Sequence, residues 1–284
     1  MRLAYNLDED PVRPPVPPPP HTDPSLIEAL PFPTAAIPGV PDLMHHKYVV
    51  RDGAAVWTGS MNWTADSWTR EENVIITLDS PELAARYATD FEQLWSRRDV
   101  RHSGKVDSTP LTVDRTQVRP WFCPGGGERL AHRIAKAIGV AKRRVRIASP
   151  VISSGPILGT LAQVVADGKV DVAGVVDRTQ VLEVLAQWRA NGNAGWKAPL
   201  LRTSLTRAAF SGKHSTPYAP GTVHDYMHAK VTVADDTVFL GSFNLSHSGE
   251  LNAENMLELA DAGLADRLAA YIDDIRARYP GIDL

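Results

Sequence analysis

The 284-residue sequence predicts an α/β fold made of two related halves. Three observations predict it. A block of chemistry-bearing residues occurs twice, over 45–62 and over 228–244. Each copy sits on short β-branched runs and is followed by a helical segment. The stretch between the copies alternates strand-like and helix-like periods, as an α/β sheet does.

The first copy reads HHKYVVRDGAAVWTGSMN and the second HAKVTVADDTVFLGSFN. Both contain His-x-Lys, four residues, then Asp, and both reach Gly-Ser-x-Asn, after six residues in the first and five in the second. Ten residues beyond that Asn stand Glu72 and Glu254, each followed by Asn. Seven ordered positions match by chance about once in a billion starting sites, at about one in twenty per position. Duplication accounts for them.

The elements follow in order. MRLAYN is an apolar strand. Twelve of the 22 prolines fall within the first 41 residues, and PVRPPVPPPP (11–20) excludes helix and inner strand, because proline lacks the N–H and fixes φ. Within the proline-rich segment 11–41, residues 11–20 read as a stiff polyproline-type connector, with a ligand for a proline-binding module as the alternative. KYVV and AAVWTG form a hairpin about Gly53, and KVTV and TVFLG form another about Asp235-Asp236. VIITL and MLELA add a third strand to each, and SPELAARYATDFEQLWSRR and AGLADRLAAYIDDIRARY are helices. In the latter, Leu264, Leu268, Ile272 and Ile275 recur at helical spacing, so one face packs on a core.

The halves are unequal. Before His228 come the strands QVRPWF, RRVRIASPV and DVAGVVD, interleaved with the helices ERLAHRIAKAI, ILGTLAQVVAD and TQVLEVLAQWRA. Before His45 stand only MRLAYN, the counterpart of DVAGVVD, and the proline-rich connection. Two strands and two helices thus have no counterpart in the first half, which reads as N-terminally shortened or as a start placed too late. Two halves matching the second would run to roughly 330 residues. An open sheet edge would then invite dimerisation or aggregation. The division falls at 1–110 and 111–284.

Composition narrows the class. Hydrophobic residues are 43% and charged residues 22%, which excludes a chain disordered throughout. The net charge of −3 argues against gripping nucleic acid by bulk charge, while a local basic groove stays open. The single cysteine, Cys123, excludes an internal disulfide and fits a reducing compartment. No apolar run spans a bilayer and no signal-peptide pattern opens the chain, so the expected location is cytoplasmic.

Residues two apart in a strand share a face. His45 and Lys47 therefore point together, as do His228 and Lys230, and Ser60 with Asn62 and Ser242 with Asn244 share faces just past the partner strands. Asp52 and Asp235, at the turns, fix the hairpins. If the halves pack about a pseudo-twofold axis, two imidazoles, two ammoniums, two amides and two hydroxyls meet at one spot. Two lysines with amide and hydroxyl donors suit a phosphate. Two histidines suit a two-step displacement, one attacking phosphorus and the other protonating the leaving oxygen. Glu72 and Glu254 are the candidates to orient the imidazoles. The lysines supply the positive charge, so neither metal nor cofactor is called for.

The two copies resemble the HKD motifs of the phospholipase D superfamily, H-x-K-x4-D with a following G-S-x-N and an acidic residue. The resemblance covers residues 42–98 and 118–284. It implies two similar α/β/α sandwich halves with mixed sheets, related by pseudo-twofold symmetry, and one active site between them. It implies a catalytic pair, His45 and His228, with Lys47 and Lys230 on phosphate and Ser60, Asn62, Ser242 and Asn244 completing the polar shell. Family precedent makes His45 the nucleophile and His228 the general acid; the residues alone leave that order open. The implied activity is a phosphodiesterase or phosphatidyltransferase. A phospholipid is the leading substrate, with peripheral membrane contact; a nuclease and an inactive phosphate-binding remnant are the alternatives.

Neighbouring features receive blander readings. His46 points away from His45 and its counterpart is Ala229, so it is non-catalytic. His224 and His228 are four apart but lie on a loop entering a strand, without partner cysteines, so a structural role outweighs zinc. Gly125–Gly127 lacks a nucleotide-loop ending and reads as a helix lead-in. The basic run 142–146 reads as a solvated helix end. Trp57, Trp63 and Trp68 surround the first motif, with packing expected for at least one and a substrate cleft or lipid for the rest.

Overall fold

In the computed structural model of the chain, residues 1–7, 24–192, 194–219 and 221–284 are described, and the proline-rich run at 11–20 lies outside the described residues. The first half contains β1 (Leu3–Leu7), α1 (Pro24–Glu28), β2 (Thr34–Pro38), β3 (Tyr48–Arg51), β4 (Ala55–Gly59), α2 (Ala65–Thr69), β5 (Ile75–Asp79) and α3 (Pro81–Arg97). The second contains β6 (Leu111–Val113), β7 (Thr116–Phe122), α4 (Gly127–Val140), β8 (Arg144–Ser149), α5 (Gly155–Asp167), β9 (Asp171–Asp177), α6 (Arg178–Asn191), α7 (Lys197–Arg207) and β10 (Ala209–Lys213), then β11 (Val231–Ala234), β12 (Thr237–Gly241), α8 (His247–Leu251), β13 (Asn255–Ala260) and α9 (Ala262–Arg276).

The second half is an eight-stranded mixed sheet of order β10-β9-β8-β11-β12-β13-β7-β6. β10, β9 and β8 are parallel, and from β11 onward the neighbours run antiparallel. Alternation along each strand sends side chains to two cores. On one face Ile147, Phe239 and Met256 meet Leu130 and Ile134 of α4 and Leu158 and Leu161 of α5. On the other, Val231, Val233, Val238, Leu240 and Leu257 meet Leu268, Ile272 and Ile275 of α9. That second core also takes in Val56 of β4 and Leu83, Ala84 and Tyr87 of α3, so the halves share it.

The first half repeats part of this plan. β1 and β2 are parallel neighbours, as β9 and β10 are, and β3-β4-β5 is an antiparallel sheet matching β11-β12-β13. In the second half β8 lies between β9 and β11 and joins the two groups. Among the described residues β1 and β3 have no strand between them, so the first half is two small sheets instead of one. Strand β2 was hidden in the sequence, because Thr34–Pro38 sits within the proline-dense stretch and ends on a proline.

The helix ends follow ordinary capping rules. Ser80 caps α3 by accepting from Leu83 N–H, with proline at the first turn, and Asp261 caps α9 by accepting from Leu264 N–H. α3 and α9 are therefore twofold-related with Ser80 opposite Asp261. The hairpin turns use left-handed residues, Asp52 at φ 53° with Gly53 at φ 63°, and Asp235 at φ 51°. Asp235 accepts the backbone N–H groups of Lys142, Arg143 and Arg144, which ties its turn to the start of β8. Asp52 stands exposed at its own turn. The basic run at 142–146 is spent on acids: Arg143 pairs with Asp236, Arg144 with Asp266, and Arg146 with Asp171 and Asp273. The glycine run is a packing device, since a Cβ on Gly127 would sit 2.1 Å from the Glu250 carbonyl oxygen.

The two antiparallel sheets differ on their outer faces. Phe239 of β12 is fully buried beneath α4. Its counterpart Trp57 of β4 is only half-buried and meets Trp63 at 6.2 Å between ring centroids. Val49 and Ile75 beside it are 40% and 42% exposed. Phe239→Ala is expected to cost about 3–5 kcal/mol, and Trp57→Ala at the related site about 1 kcal/mol. Urea unfolding midpoints of the two variants check this.

Candidate active site

The two His-x-Lys segments enter β3 and β11, and each is pinned by the opposite half. His45 N–H donates to Ala253 O at 2.9 Å, just before β13; His228 N–H donates to Glu72 O at 3.1 Å, shortly before β5. These bonds cross the pseudo-twofold axis and bring the strand entrances together. Both lysines fold back on their own segment: Lys47 Nζ donates to His45 O at 2.6 Å and Lys230 Nζ to His228 O at 2.7 Å. Lys47 is 6% exposed and Lys230 1%. Two ammoniums are thus held in a site nearly closed to water.

Each imidazole has a partner on Nδ1 from the other half. His45 Nδ1 donates to Glu254 Oε1 at 2.7 Å, and the Glu254 side chain is fully buried. His228 Nδ1 lies 3.1 Å from Asn73 Oδ1 and 3.4 Å from Glu71 Oε2. With Nδ1 committed, Nε2 of each ring is the atom left to react.

Glu72 is therefore displaced from its expected role. Its carboxylate takes Lys213 Nζ at 2.7 Å and the Tyr279 hydroxyl, away from His228. The cause is strand register. Ser60 N–H bonds to Val74 O, fourteen residues on, whereas Ser242 N–H bonds to Asn255 O, thirteen on. The first copy is one residue longer across this connection, so Asn73 takes the place of Glu254 and Glu72 that of Ala253. The equal spacing from Asn62 and Asn244 hid the slip. Asn73 and Glu71 are the residues that sequence reasoning missed; the run Glu71-Glu72-Asn73 was the available signal, but spacing pointed to its middle member.

Ser60 and Ser242 also differ from expectation. Both hydroxyls are buried, at 1% and 0% exposure. Ser60 Oγ donates to Asn73 Oδ1 at 2.7 Å and accepts from Val74 N–H at 3.0 Å. Ser242 Oγ accepts from Asn255 N–H at 3.0 Å. Both hydroxyls are engaged with the residues entering the third strand of their own sheet and do not face an open phosphate site. Asn62 and Asn244 are half-buried, and Asn244 Oδ1 has no hydrogen-bond partner among the described residues. Of the tryptophans, Trp63 and Trp68 are 56% and 68% exposed, so packing applies to Trp57 alone, and only in part. The His224 ring packs on Tyr218 and Tyr226. Among the described residues no cluster of three or more His, Cys, Asp or Glu side chains is arranged to hold a metal ion.

Electrostatics sharpen the geometry. Burial, Lys47 and Lys230 push His45 down to about 4 against the pull of Glu254. Burial and the same two lysines hold His228 well below its ordinary value. Burial lowers Lys47 to about 8, and burial with Lys47 nearby lowers Lys230 strongly. His45 and its neighbouring lysines hold the Glu254 carboxyl below the usual range despite its burial. The site thus offers two uncharged imidazoles and two buried lysines, with the Glu254 and Glu71 side chains beside them, the donors an anion would use.

Comparison with known proteins agrees with the duplicated motif. The family model described as "Cardiolipin synthase, PLD-like domain" matches residues 28–95 and 134–276, most of the chain. The chain belongs to the phospholipase D superfamily. Among curated relatives it is similar to "Mitochondrial cardiolipin hydrolase" of Xenopus laevis, 44% identical over 57 residues, which is 20% of this chain and 27% of the relative. The protein of the same description from Xenopus tropicalis is 46% identical over 57 residues, again 20% and 27%. The match thus spans about a quarter of the length of these relatives. Among solved structures, phosphatidylserine synthase of Haemophilus influenzae Rd KW20 superposes with a TM-score of 0.61 at 14% identity, covering 88% of this chain and 65% of that one. The superposition supports the shared two-half fold.

Two outcomes follow for this member of the superfamily. The native state takes up fewer protons at His45 than the unfolded chain between about 6.5 and about 4, so its contribution to stability is full above that window and is lost as pH falls through it. Urea midpoints measured from pH 7.5 to 4 should fall, and His45→Gln should flatten the slope. Separately, Glu72→Gln should cost about 2 kcal/mol by weakening a charged pair, with the His228 ring signals in NMR unmoved. Glu71→Gln should move those signals instead.

Proposed function

We propose that the chain is a metal-independent phosphodiesterase of the phospholipase D type, working through a phosphohistidine and acting on phospholipid. The observation that carries this reading is the crossed pairing: two imidazoles, each braced at Nδ1 from the opposite half, beside two buried ammoniums.

The chemistry follows from the bracing. His45 is uncharged and donates its Nδ1–H in a hydrogen bond to the Glu254 carboxylate, which fixes the lone pair on Nε2 and strengthens it as a nucleophile. Nε2 attacks phosphorus, the P–O bond to the leaving group breaks, and the leaving oxygen takes a proton from His228. Asn73 is a neutral acceptor, so His228 lacks a direct carboxylate at bonding distance and releases its proton more readily than His45 would. The phosphoryl oxygens draw on Lys47 and Lys230, and this negative charge offsets the repulsion that holds His228 low, so substrate binding brings the acid's proton with it. Water or an alcohol, deprotonated by His228, then attacks the phosphohistidine, and His45 leaves. Hydrolysis and headgroup exchange are the same step with different acceptors.

The lipid assignment rests on three supports. The curated relatives bear the description cardiolipin hydrolase. Trp63 and Trp68, in the segment after Asn62, expose the amphipathic rings that favour a lipid–water boundary. The basic run that would have served nucleic acid is neutralised by its own acids. Among the described residues no helix is long and apolar enough to cross a membrane, so the proposed contact is peripheral.

The test is a parallel assay on cardiolipin, phosphatidylcholine, single-stranded DNA and bis(p-nitrophenyl) phosphate, with and without EDTA. Phospholipid turnover insensitive to EDTA, and loss of at least about a thousandfold in both His45→Ala and His228→Ala, are expected. Cleavage of DNA alone overturns the lipid assignment. Loss with EDTA, or full activity in either variant, overturns the mechanism.

A further inference from the structure

Behind the first motif lies a buried polar network that the reaction scheme does not use. His46 Nε2 lies 3.0 Å from Asp90 Oδ2 of α3, with side-chain exposures of 4% and 0%. Asp90 also accepts from the Tyr48 hydroxyl at 3.0 Å and from Gly104 N–H at 3.0 Å. A carboxylate so deep in the protein is costly unless every oxygen is engaged, and here both are. The other ring nitrogen, His46 Nδ1, lies 3.3 Å from Asn255 Nδ2. With Nδ1 accepting from the amide, the ring proton sits on Nε2, within ion-pair range of Asp90 but not in line for a hydrogen bond to it.

Asn255 is the hub. Its Oδ1 receives the Thr58 hydroxyl at 2.7 Å and the Tyr87 hydroxyl at 3.2 Å, which fixes which way the amide faces. Thr58 Oγ1 is also 3.0 Å from Lys47 O. Asn255 gives its backbone N–H to Ser242 Oγ at 3.0 Å, and its Nδ2 lies 3.4 Å from the same oxygen. Asn255 directly follows Glu254 in the chain, and Glu254 Oε1 accepts the His45 Nδ1–H. The contacts thus lead from Asp90 through His46 and Asn255 to the residue that orients His45, with a branch to the backbone of Lys47.

The other half has nothing like it. Strand register and the matched helix caps place Ala229 opposite His46, Val231 opposite Tyr48, Val74 opposite Asn255 and Tyr271 opposite Asp90. Of these four only Tyr271 is polar, and its hydroxyl donates to Asn73 O at 2.9 Å. The buried His–Asp pair stands only behind the imidazole whose partner is a carboxylate.

We propose that His46 and Asp90 are positioning residues for His45. They hold Asn255 in one orientation and so keep its chain neighbour Glu254 aligned on His45 Nδ1. The effect on turnover rests on the phosphodiesterase reading above; the effect on the His45 ring does not. The full chain, labelled with ¹⁵N-histidine, is examined at pH 7 by long-range ¹H–¹⁵N correlation, which reports the tautomer of each ring, alongside kcat and KM on bis(p-nitrophenyl) phosphate. In the wild type His45 is expected in the Nδ1–H form. Asp90→Asn and His46→Ala should mix the His45 tautomers and lower kcat at least tenfold with KM within about twofold. His46→Gln, which keeps an N–H donor for Asp90, should restore the Nδ1–H form and most of kcat. Should His46→Ala not fold, Asp90→Asn against His46→Gln makes the same comparison. An unchanged His45 tautomer in folded Asp90→Asn or His46→Ala, or His46→Gln no better than His46→Ala, overturns the proposal. Absence of wild-type turnover on every phosphodiester would count against the function instead, and the tautomer measurement would still decide the positioning role.

Discussion

Everything at the centre of this molecule depends on a reciprocal exchange: each half supplies the brace for the other half's histidine. His45 is fixed by Ala253 and Glu254, and His228 by Glu72, Asn73 and Glu71. Neither imidazole is oriented by its own repeat. The shared core of α3, α9, β4 and β12 is what holds the strand entrances at the right separation, so packing and the site's geometry are one constraint. A hydrogen bond of 2.7 Å tolerates only a few tenths of an ångström of slippage between the halves. Looseness in that core would reach the chemistry before it reached overall stability.

Duplication sets the plan and divergence sets the roles. The two sites began as equivalents, yet one imidazole now faces a buried carboxylate and the other an amide with a carboxylate behind it. A single extra residue between Ser60 and Val74 changed which side chain arrives at the axis. In the proposed reaction the nucleophile and the proton donor need opposite tuning, and two identical half-sites cannot provide both.

Much of this was legible in the sequence. The repeat, the hairpins and the helix following each hairpin were readable because period-2 and period-3.6 patterns are local. The juxtaposition of His45, Lys47, His228 and Lys230 followed from parity along a strand plus an assumed axis. What escaped was non-local. The register slip at Glu72 depends on how many residues bridge β4 and β5, which spacing from Asn62 does not reveal. Strand β2 escaped because a run ending in Pro38 disguises an edge strand that needs no donor there. The sequence pattern separates His46 from His45 by direction, but nothing along the chain connects it with Asp90 in α3 or with Asn255 in the other half.

The lysines carry a consequence for the molecule as a whole. Lys47 and Lys230 are almost sealed from water; burial lowers the proton affinity of both, and Lys47 lowers that of Lys230 further. In an empty site that burial works against the folded state, and it persists only because the surrounding cores outweigh it. The energy is not lost. On the proposed function, an anion seated beside the lysines recovers it as binding, so affinity is stored in advance chiefly as the cost of burying two cations. A variant relieved of that cost would be the sturdier protein and the poorer binder, and the trade between the two is built into the positions of two side chains.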